Sequence, residues 1–452
     1  MKTETPIYTR LSEYHRKDRI SFAMPGHKNL RGLVPDLQQC DVTELPATVD
    51  LRHEDEYVRR ANRLLSEFYG SRRSFILTGG STEGVQAMIA SSLKPGDILA
   101  AFSDCHISVI NTCAICGFGL KLIPTRLRND FLVPCPPDDP EIPEGVTALL
   151  VTSPNYYGIT ADISGLAKKC RERGIRLLVD EAHGAHFTGE CGLPVSAVRL
   201  GADMVCQSAH KTLCALTGAA YLHICGDGVD TGRVKRALMS FGSSSPSYPI
   251  AASADAARAV LAETRYDDII DECEKFCKAL THMTKIRVLG NDDPTRIVLC
   301  FADYDISGCE VLALLSDRYG IDIEMADQLN IVLIATPWNT HGDFMSLFRA
   351  LLDITEPLGK RKTAAEIPPY ECERGVIYPE EAWFSDSEQV PIDDAEGRTA
   401  AAVVAAYPPG CAVLVPGAVI TRDDIEYIDR LRALGIEIAG LEDGKTEVVK
   451  WK

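Results

Sequence analysis

No apolar run in this 452-residue chain approaches the roughly 18 residues that a membrane-spanning helix requires. The N-terminal stretch Met1 to Arg10 is polar and lacks the apolar centre of a secretory signal. Together these absences point to a cytoplasmic protein with no membrane partner. Positive charge is also short: 47 Lys and Arg stand against 64 Asp and Glu, a formal net charge of −17. Phosphate backbones and anionic bilayers are held by basic patches, so nucleic acid is excluded as the main partner. The acidic excess is read as a source of solubility, although it also suits a cationic metabolite. Internal repeats and low-complexity tracts are missing as well.

Cysteine is plentiful, at 16 residues, but without metal-site spacing. Cys113 and Cys116 form a lone C-x-x-C with no second pair, and Cys206, Cys214, Cys225 and Cys300 fall in apolar or helical segments. They are read as reduced, mostly buried small hydrophobes, and no metal is expected. With 46% hydrophobic and 25% charged residues the composition is that of an ordinary globular protein. At roughly 150 residues per domain, the length implies two or three domains.

Seven short apolar runs alternate with helical patterns between about 57 and 225: Ser74 to Leu77, Ile98 to Phe102, Leu120 to Pro124, Ala148 to Thr152, Arg176 to Asp180, Met204 to Cys206 and Ala219 to Ile224. Strands alternating with helices predict a doubly wound α/β fold with a mostly parallel seven-stranded sheet. Helices are expected at Ala251 to Leu261 and Asp267 to Leu280, followed by a small α/β domain around Arg296 to Ala302, Gly308 to Tyr319 and Asn330 to Ala335. The charged, proline-bearing stretch from Gly359 to Glu373 reads as a linker. The implied domains are an N-terminal arm (1–45), a large domain (46–285), a small α/β domain (286–360) and a C-terminal module (361–452).

In such a sheet the ligand lies outside the carboxyl ends of the strands, and the chemically potent residues follow the apolar runs directly. Asp180 closes one run; Lys211 follows Ser208, Ala209 and His210 after another. A lysine and a strand-end carboxylate in this relation suit pyridoxal 5'-phosphate: the lysine forms the Schiff base, and the acid keeps the pyridine nitrogen protonated. Thr78, Gly79, Gly80, Ser81, Thr82, Glu83 and Gly84 lie between a strand and a helix expected at Val85 to Ser92. Glycines, helix amides and the hydroxyls of Ser81 and Thr82 provide a phosphate cradle, with Ser81 as a plain N-cap the bland alternative. Ser208, His210 and Thr212 offer further phosphate contacts. His106 follows the second run, where an imidazole can stack on the cofactor ring, and His183 is placed to reach its phenolic oxygen.

With these residues in view, the chain resembles the ornithine/lysine/arginine decarboxylase family of fold type I pyridoxal-phosphate enzymes. The resemblance rests on Pro25-Gly26-His27-Lys28, the Ser81-Thr82 loop, Asp180 through His183 (D-E-A-H), Ser208 through Lys211 (S-x-H-K), Ser245-Pro246-Ser247-Tyr248, Tyr407-Pro408-Pro409-Gly410 and Val415-Pro416-Gly417. It spans nearly the whole chain, in the compact form without an N-terminal wing domain. It implies decarboxylation of arginine, lysine or ornithine to the amine and CO2, with Lys211, Asp180 and His106 as catalytic residues. It also implies cofactor contacts from Ser245 at a dimer interface and substrate contacts from His27 and Lys28 in an arm shared between subunits, whereas the bland reading of that arm is a surface turn set by Pro25 and Gly26. A homodimer is then the smallest expected unit.

Three departures bear on specificity. Ala418 stands where the family has Glu after V-P-G; the alanines from Ala400 to Ala402 replace an acid expected after Gly397 and Arg398; and Ser153 to Gly158 only approximate N-P-T-Y-Y-G. Another fold type I enzyme, an aminotransferase or α-oxoamine synthase, shares the lysine and aspartate. A silent cofactor-binding regulatory homologue is the alternative from outside catalysis.

Overall fold

The computed structural model describes residues 19–28, 37–45, 47–359, 375–407, 411–433 and 436–450. Pro408, Pro409 and Gly410, most of the expected linker and much of the N-terminal arm lie outside them. Among the described residues no helix is long and apolar enough to cross a membrane.

All seven apolar runs form strands, with ends within one residue of those read from sequence. In chain order the first strands are β1 (Ile20–Phe22), β2 (Arg73–Leu77), β3 (Ile98–Phe102), β4 (Gly119–Ile123), β5 (Arg126–Arg128), β6 (Val133–Cys135), β7 (Ala148–Thr152), β8 (Arg176–Asp180), β9 (Met204–Gln207) and β10 (Ala220–Ile224). The central sheet has the order β2-β10-β9-β8-β7-β3-β4. From β9 to β4 every pairing is parallel, whereas β10 runs antiparallel to both its neighbours. The segment between β9 and β10 carries one turn of helix, α3 below, instead of the long helix that a parallel crossover uses to travel back along a sheet face.

Alternate side chains of the strands enter different cores. Leu149, Val151, Leu177, Val179 and Val205 face one, while Leu150, Leu178, Met204 and Cys206 face the other. Burial on both faces explains why these strands read as unbroken apolar runs. The helices that carry site residues are α1 (Gly80–Ser92), α2 (Ile107–Cys116), α3 (Ala209–Thr212) and α4 (Tyr248–Glu263).

The smaller unit contains β11 (Arg287–Val288), β12 (Arg296–Cys300), β13 (Ile321–Ile323), β14 (Met325–Ala326) and β15 (Asn330–Ile334). Four of them form an antiparallel sheet of order β11-β12-β15-β14. The remaining strand, β13, pairs in parallel with β1 of the arm, Ile20 opposite Ile321, and Arg19 forms an ion pair with Asp322. Beyond β1 the P-G-H-K segment is not a surface turn. Gly26 donates its N–H to the carbonyl of His210 (2.9 Å), and its own carbonyl accepts from Thr336 Oγ1 (2.9 Å).

The C-terminal module is built on β16 (Ser387–Pro391), β17 (Val404–Tyr407), β18 (Cys411–Leu414), β19 (Glu437–Ala439) and β20 (Lys445–Val449), with a core that includes Ile392, Val404, Leu414, Ile425 and Val448. It attaches to the β4 edge of the main sheet through reciprocal backbone bonds between Leu120 and Ile377 (2.7 and 2.8 Å). Two departures from the family pattern meet inside it. Ala400 donates to the carbonyl of Ala418, Gly417 donates to that of Ala400 (both 2.9 Å), and both alanine side chains are buried. Acids are missing from both positions where the two segments pack together.

Candidate active site

Asp180 ends β8, paired in register with Thr152 of β7 on one side and Cys206 of β9 on the other. Its side chain is buried, and Oδ1 accepts a bond from the N–H of Ala182 (3.1 Å). The turn that follows is anchored by Glu181. That buried carboxyl accepts from Ser196 Oγ (2.6 Å), the N–H of Ala197 (2.7 Å) and Gln207 Nε2 (2.6 Å), and burial pushes it up to about 7 despite those bonds. A strand-end aspartate followed by a pinned turn places His183 over the cleft.

Lys211 lies on α3, with Nζ 2.9 Å from His183 Nε2. Burial lowers the affinity of this amine for its proton, against the opposing charges of Asp180 and Glu324. The imidazole of His183 is buried, its Nδ1 accepts from Arg296 Nη2 (3.2 Å), and its ring lies 4.6 Å from that of Tyr156. Burial first, then the charges of Lys211 and Arg296, push it well below the usual histidine range. His183 thus stands between Lys211 and Arg296, beside the amine that would carry the cofactor. Tyr156 donates its hydroxyl to Glu324, which also accepts from the N–H of Met24 (2.7 Å). Lys28 joins this group: burial lowers it to about 7, opposed by Glu324 and reinforced by Arg296, and its ammonium donates to the carbonyl of Ala23. Its neighbour His27 is lowered by burial and by the Lys28 charge.

Helix α1 begins at Gly80, earlier than the expected Val85, so Ser81 is not its N-cap. Gly79 holds that position, Gly80 takes a left-handed φ of 74° and Glu83 accepts from the N–H of Gly79 (2.9 Å). Ser81 and Thr82 therefore occupy the first turn, where amides lack partners within the helix and attract anions. Ser208 Oγ donates to Ser81 Oγ (2.8 Å), tying the lysine loop to this turn, and the space beside Gly80 is open. His210 donates from Nδ1 to the carbonyl of Ala219 (3.0 Å), which leaves Nε2 for the cleft, and burial lowers its proton affinity. The Thr212 hydroxyl is buried without a partner.

His106 caps α2, its Nδ1 accepting from the N–H of Ser108 (3.2 Å). Burial lowers its proton affinity, and the charges of Asp180 and Lys211 both reach it. Ser245 is the residue the single chain does not bring in. It is exposed in the loop before α4, its N–H bonded to Ser243 Oγ (3.0 Å).

Sequence reading had not singled out Arg296 or Glu324 as site residues. Arg296 carried one overlooked signal, a charged residue opening a strand whose every position is buried. Arginine is rarely buried without a binding role or a partner. Glu324 had no such signal.

These donors fit pyridoxal phosphate: a buried amine with weakened proton affinity, a buried strand-end carboxylate, and an open helix N-terminus beside two hydroxyls. The comparisons agree. Residues 5–302 match the major domain of Orn/Lys/Arg decarboxylases, and residues 375–446 match their C-terminal domain. The chain is 32% identical to the uncharacterized protein YaaO of Bacillus subtilis, covering 96% of both. It is 29% identical to an arginine decarboxylase of Bacillus anthracis, covering 97% of this chain and 95% of that one. The constitutive lysine decarboxylase of Escherichia coli superimposes with a TM-score of 0.71 at 18% identity, over 99% of this chain and 82% of that one. Both domain matches and the relatives of equal extent establish that the chain belongs to the Orn/Lys/Arg decarboxylase family and is an amino acid decarboxylase dependent on pyridoxal 5'-phosphate.

Proposed function

We propose that the enzyme removes the α-carboxylate of a basic amino acid, with arginine the first candidate among arginine, lysine and ornithine. The observation that carries this reading is the convergence of Lys211, His183 and Asp180 in one buried cleft with the Glu324 carboxylate. Arginine is favoured because the chain aligns over nearly its whole length with arginine decarboxylases; Glu324 provides a negative charge for the cationic side chain of any of the three.

Bound pyridoxal phosphate supplies an electron sink for the pair left on Cα when CO2 departs. Lys211 would hold the cofactor, and its amine would hold the proton destined for Cα. Asp180 would keep the pyridine nitrogen protonated, because a buried carboxylate favours a nearby positive charge. His106 would face the cofactor ring, and Ser81, Thr82, Ser208 and His210 would hold its phosphate. His27 and Lys28 border the substrate side of the cleft, where the Lys28 charge faces Glu324.

The test is CO2 release from carboxyl-labelled arginine, lysine, ornithine and unrelated amino acids. Release from one basic amino acid is expected, falling at least about a thousandfold in Lys211→Ala through loss of the covalent step. Glu324→Gln should raise KM for the basic substrate about tenfold, the loss of one charge-assisted hydrogen bond. If cofactor binds at Lys211 but no amino acid yields CO2, the decarboxylase reading fails in favour of a silent homologue; amino-group transfer in its place would indicate an aminotransferase.

We also propose a homodimer, in which the partner completes the site. Ser245 sits on an exposed loop bordering a cleft of about 610 Å³ lined by Leu51, Tyr57, Leu238, Met239 and Pro246. That cleft reaches Thr78 and Glu83 of the phosphate loop.

A further inference from the structure

Arg296 is 2% exposed, yet among the described residues it forms no ion pair and its Nε is buried without a hydrogen-bond acceptor. The bonds recorded for its side chain go to His183 Nδ1 (Nη2, 3.2 Å) and, more weakly, to the carbonyl of Tyr156 (Nη1, 3.4 Å). A buried cation held in this way is costly unless its position serves a ligand or a neighbour.

The chemistry of the three-residue chain is restrictive. A guanidinium has only donors. His183 Nδ1 must therefore accept from Arg296, and a neutral ring then carries its proton on Nε2. That proton points at Lys211 Nζ, 2.9 Å away. An ammonium has no lone pair with which to accept it; a free amine does. Arg296, His183 and Lys211 are mutually satisfied only when Lys211 is unprotonated.

We propose that Arg296 is a positioning residue which, by holding His183 as its Nε2–H tautomer, keeps Lys211 as the free amine needed for cofactor capture. The proposal rests on the reading that Lys211 carries the cofactor. In capture, the Nζ lone pair forms a bond to the cofactor aldehyde carbon, and the two amine protons leave with the aldehyde oxygen as water. An ammonium must first lose a proton to begin. The other groups that act on Lys211 are the carboxylates of Asp180 and Glu324 and the thiol of Cys206. Beside the lysine stand His106 and His210, whose protonation the Lys211 charge disfavours. Asp180 and Glu324 favour the ammonium; burial first, and then Arg296 together with the His183 Nε2–H, are set against it.

The experiment measures the rate of pyridoxal phosphate capture by wild-type apoprotein and by Arg296→Met and Arg296→Gln across pH 6 to 10. Arg296→Met removes both charge and donor; it should move the midpoint of the profile up by at least one pH unit, because His183 is then free to turn its bare nitrogen toward a Lys211 ammonium. Arg296→Gln restores a neutral donor to Nδ1 and should bring the midpoint back toward wild type. An unshifted midpoint in Arg296→Met overturns the proposal, as does a Gln variant indistinguishable from Met, which would leave only the charge of Arg296 at work. Independently of any Arg296 variant, 15N-histidine spectra of the wild-type apoprotein, assigned with His183→Gln, should show His183 protonated at Nε2; protonation at Nδ1 overturns it. Borohydride reduction and peptide mapping distinguish the two failures: an adduct on a lysine other than 211 defeats the assignment of Lys211 itself, whereas an adduct on Lys211 with an unshifted profile defeats only the role of Arg296.

Discussion

Asp104, two residues ahead of His106, has both carboxyl oxygens buried and without a hydrogen-bond partner. Burial first, and then the neighbouring charge of Asp180, push this acid up from 3.8 to about 7. Between about pH 4 and 7 the folded protein keeps a proton that the unfolded chain has lost, so stability falls as pH rises through that window and is level above it. Asp104→Asn, which cannot ionise, should melt like the wild type near pH 4 and gain an advantage that grows to pH 7 and then stays constant. Thermal melting at pH 4, 5.5, 7 and 8.5 measures this, and parallel curves at all four would show that Asp104 ionises normally. At the same scale, Lys211 and Asp180 were legible in the sequence because Asp180 closes an apolar run and Lys211 lies in the loop after another, and sheet geometry assigns meaning to those places. Arg296 and Glu324 follow no such rule, since their value comes from facing residues far away in the chain.

Among the elements, the N-terminal arm shows how local chemistry underdetermines location. Taken by themselves Pro25 and Gly26 suit a surface turn, but β1 pairs with β13 and draws the segment onto the lysine loop. An ideal Cβ at Gly26 would lie 2.4 Å from the carbonyl oxygen of Leu213 and 3.0 Å from that of Lys211. Both are backbone atoms that cannot swing aside as a side chain does. Gly26→Ala should therefore push the arm off the loop, at a cost of about 1–3 kcal/mol, and weaken cofactor affinity at least tenfold by absorbance titration. Unchanged affinity together with an unchanged melting temperature would mean that the arm is not seated there. Helix α1 teaches a related lesson. Its glycines suggested a loop as far as Val85, yet only Gly80 needs a left-handed backbone, and the helix begins at that residue.

For the whole molecule, exposed apolar surface borders the cleft beside the phosphate loop: Tyr57 is 66% and Met239 50% exposed. Large apolar side chains grouped around a cleft mark an interaction surface, and a second copy would bring a Ser245 loop into it. Light scattering of the holoenzyme should give twice the chain mass of 49.3 kDa or a multiple of that. Full activity at the mass of a single chain would refute the shared site. The departures from the family pattern also resolve only at this scale. Ala400 and Ala418 looked like independent losses of acid, whereas they are neighbours in one packed contact of the C-terminal module.

The sequence by itself determined the seven strands of the main sheet, the glycine turn and the lysine–aspartate pair. Each is written in a period of apolar residues or a spacing within a few positions, and such patterns act before any distant contact forms. Tertiary structure alone decided the reversed direction of β10, the seat of the arm and the chain from Arg296 through His183 to Lys211. These depend on which surfaces meet after the sheet has closed its two cores, and hydrogen-bond donors and acceptors separated by more than a hundred residues, as Arg296 and His183 are, leave no period in the sequence between them.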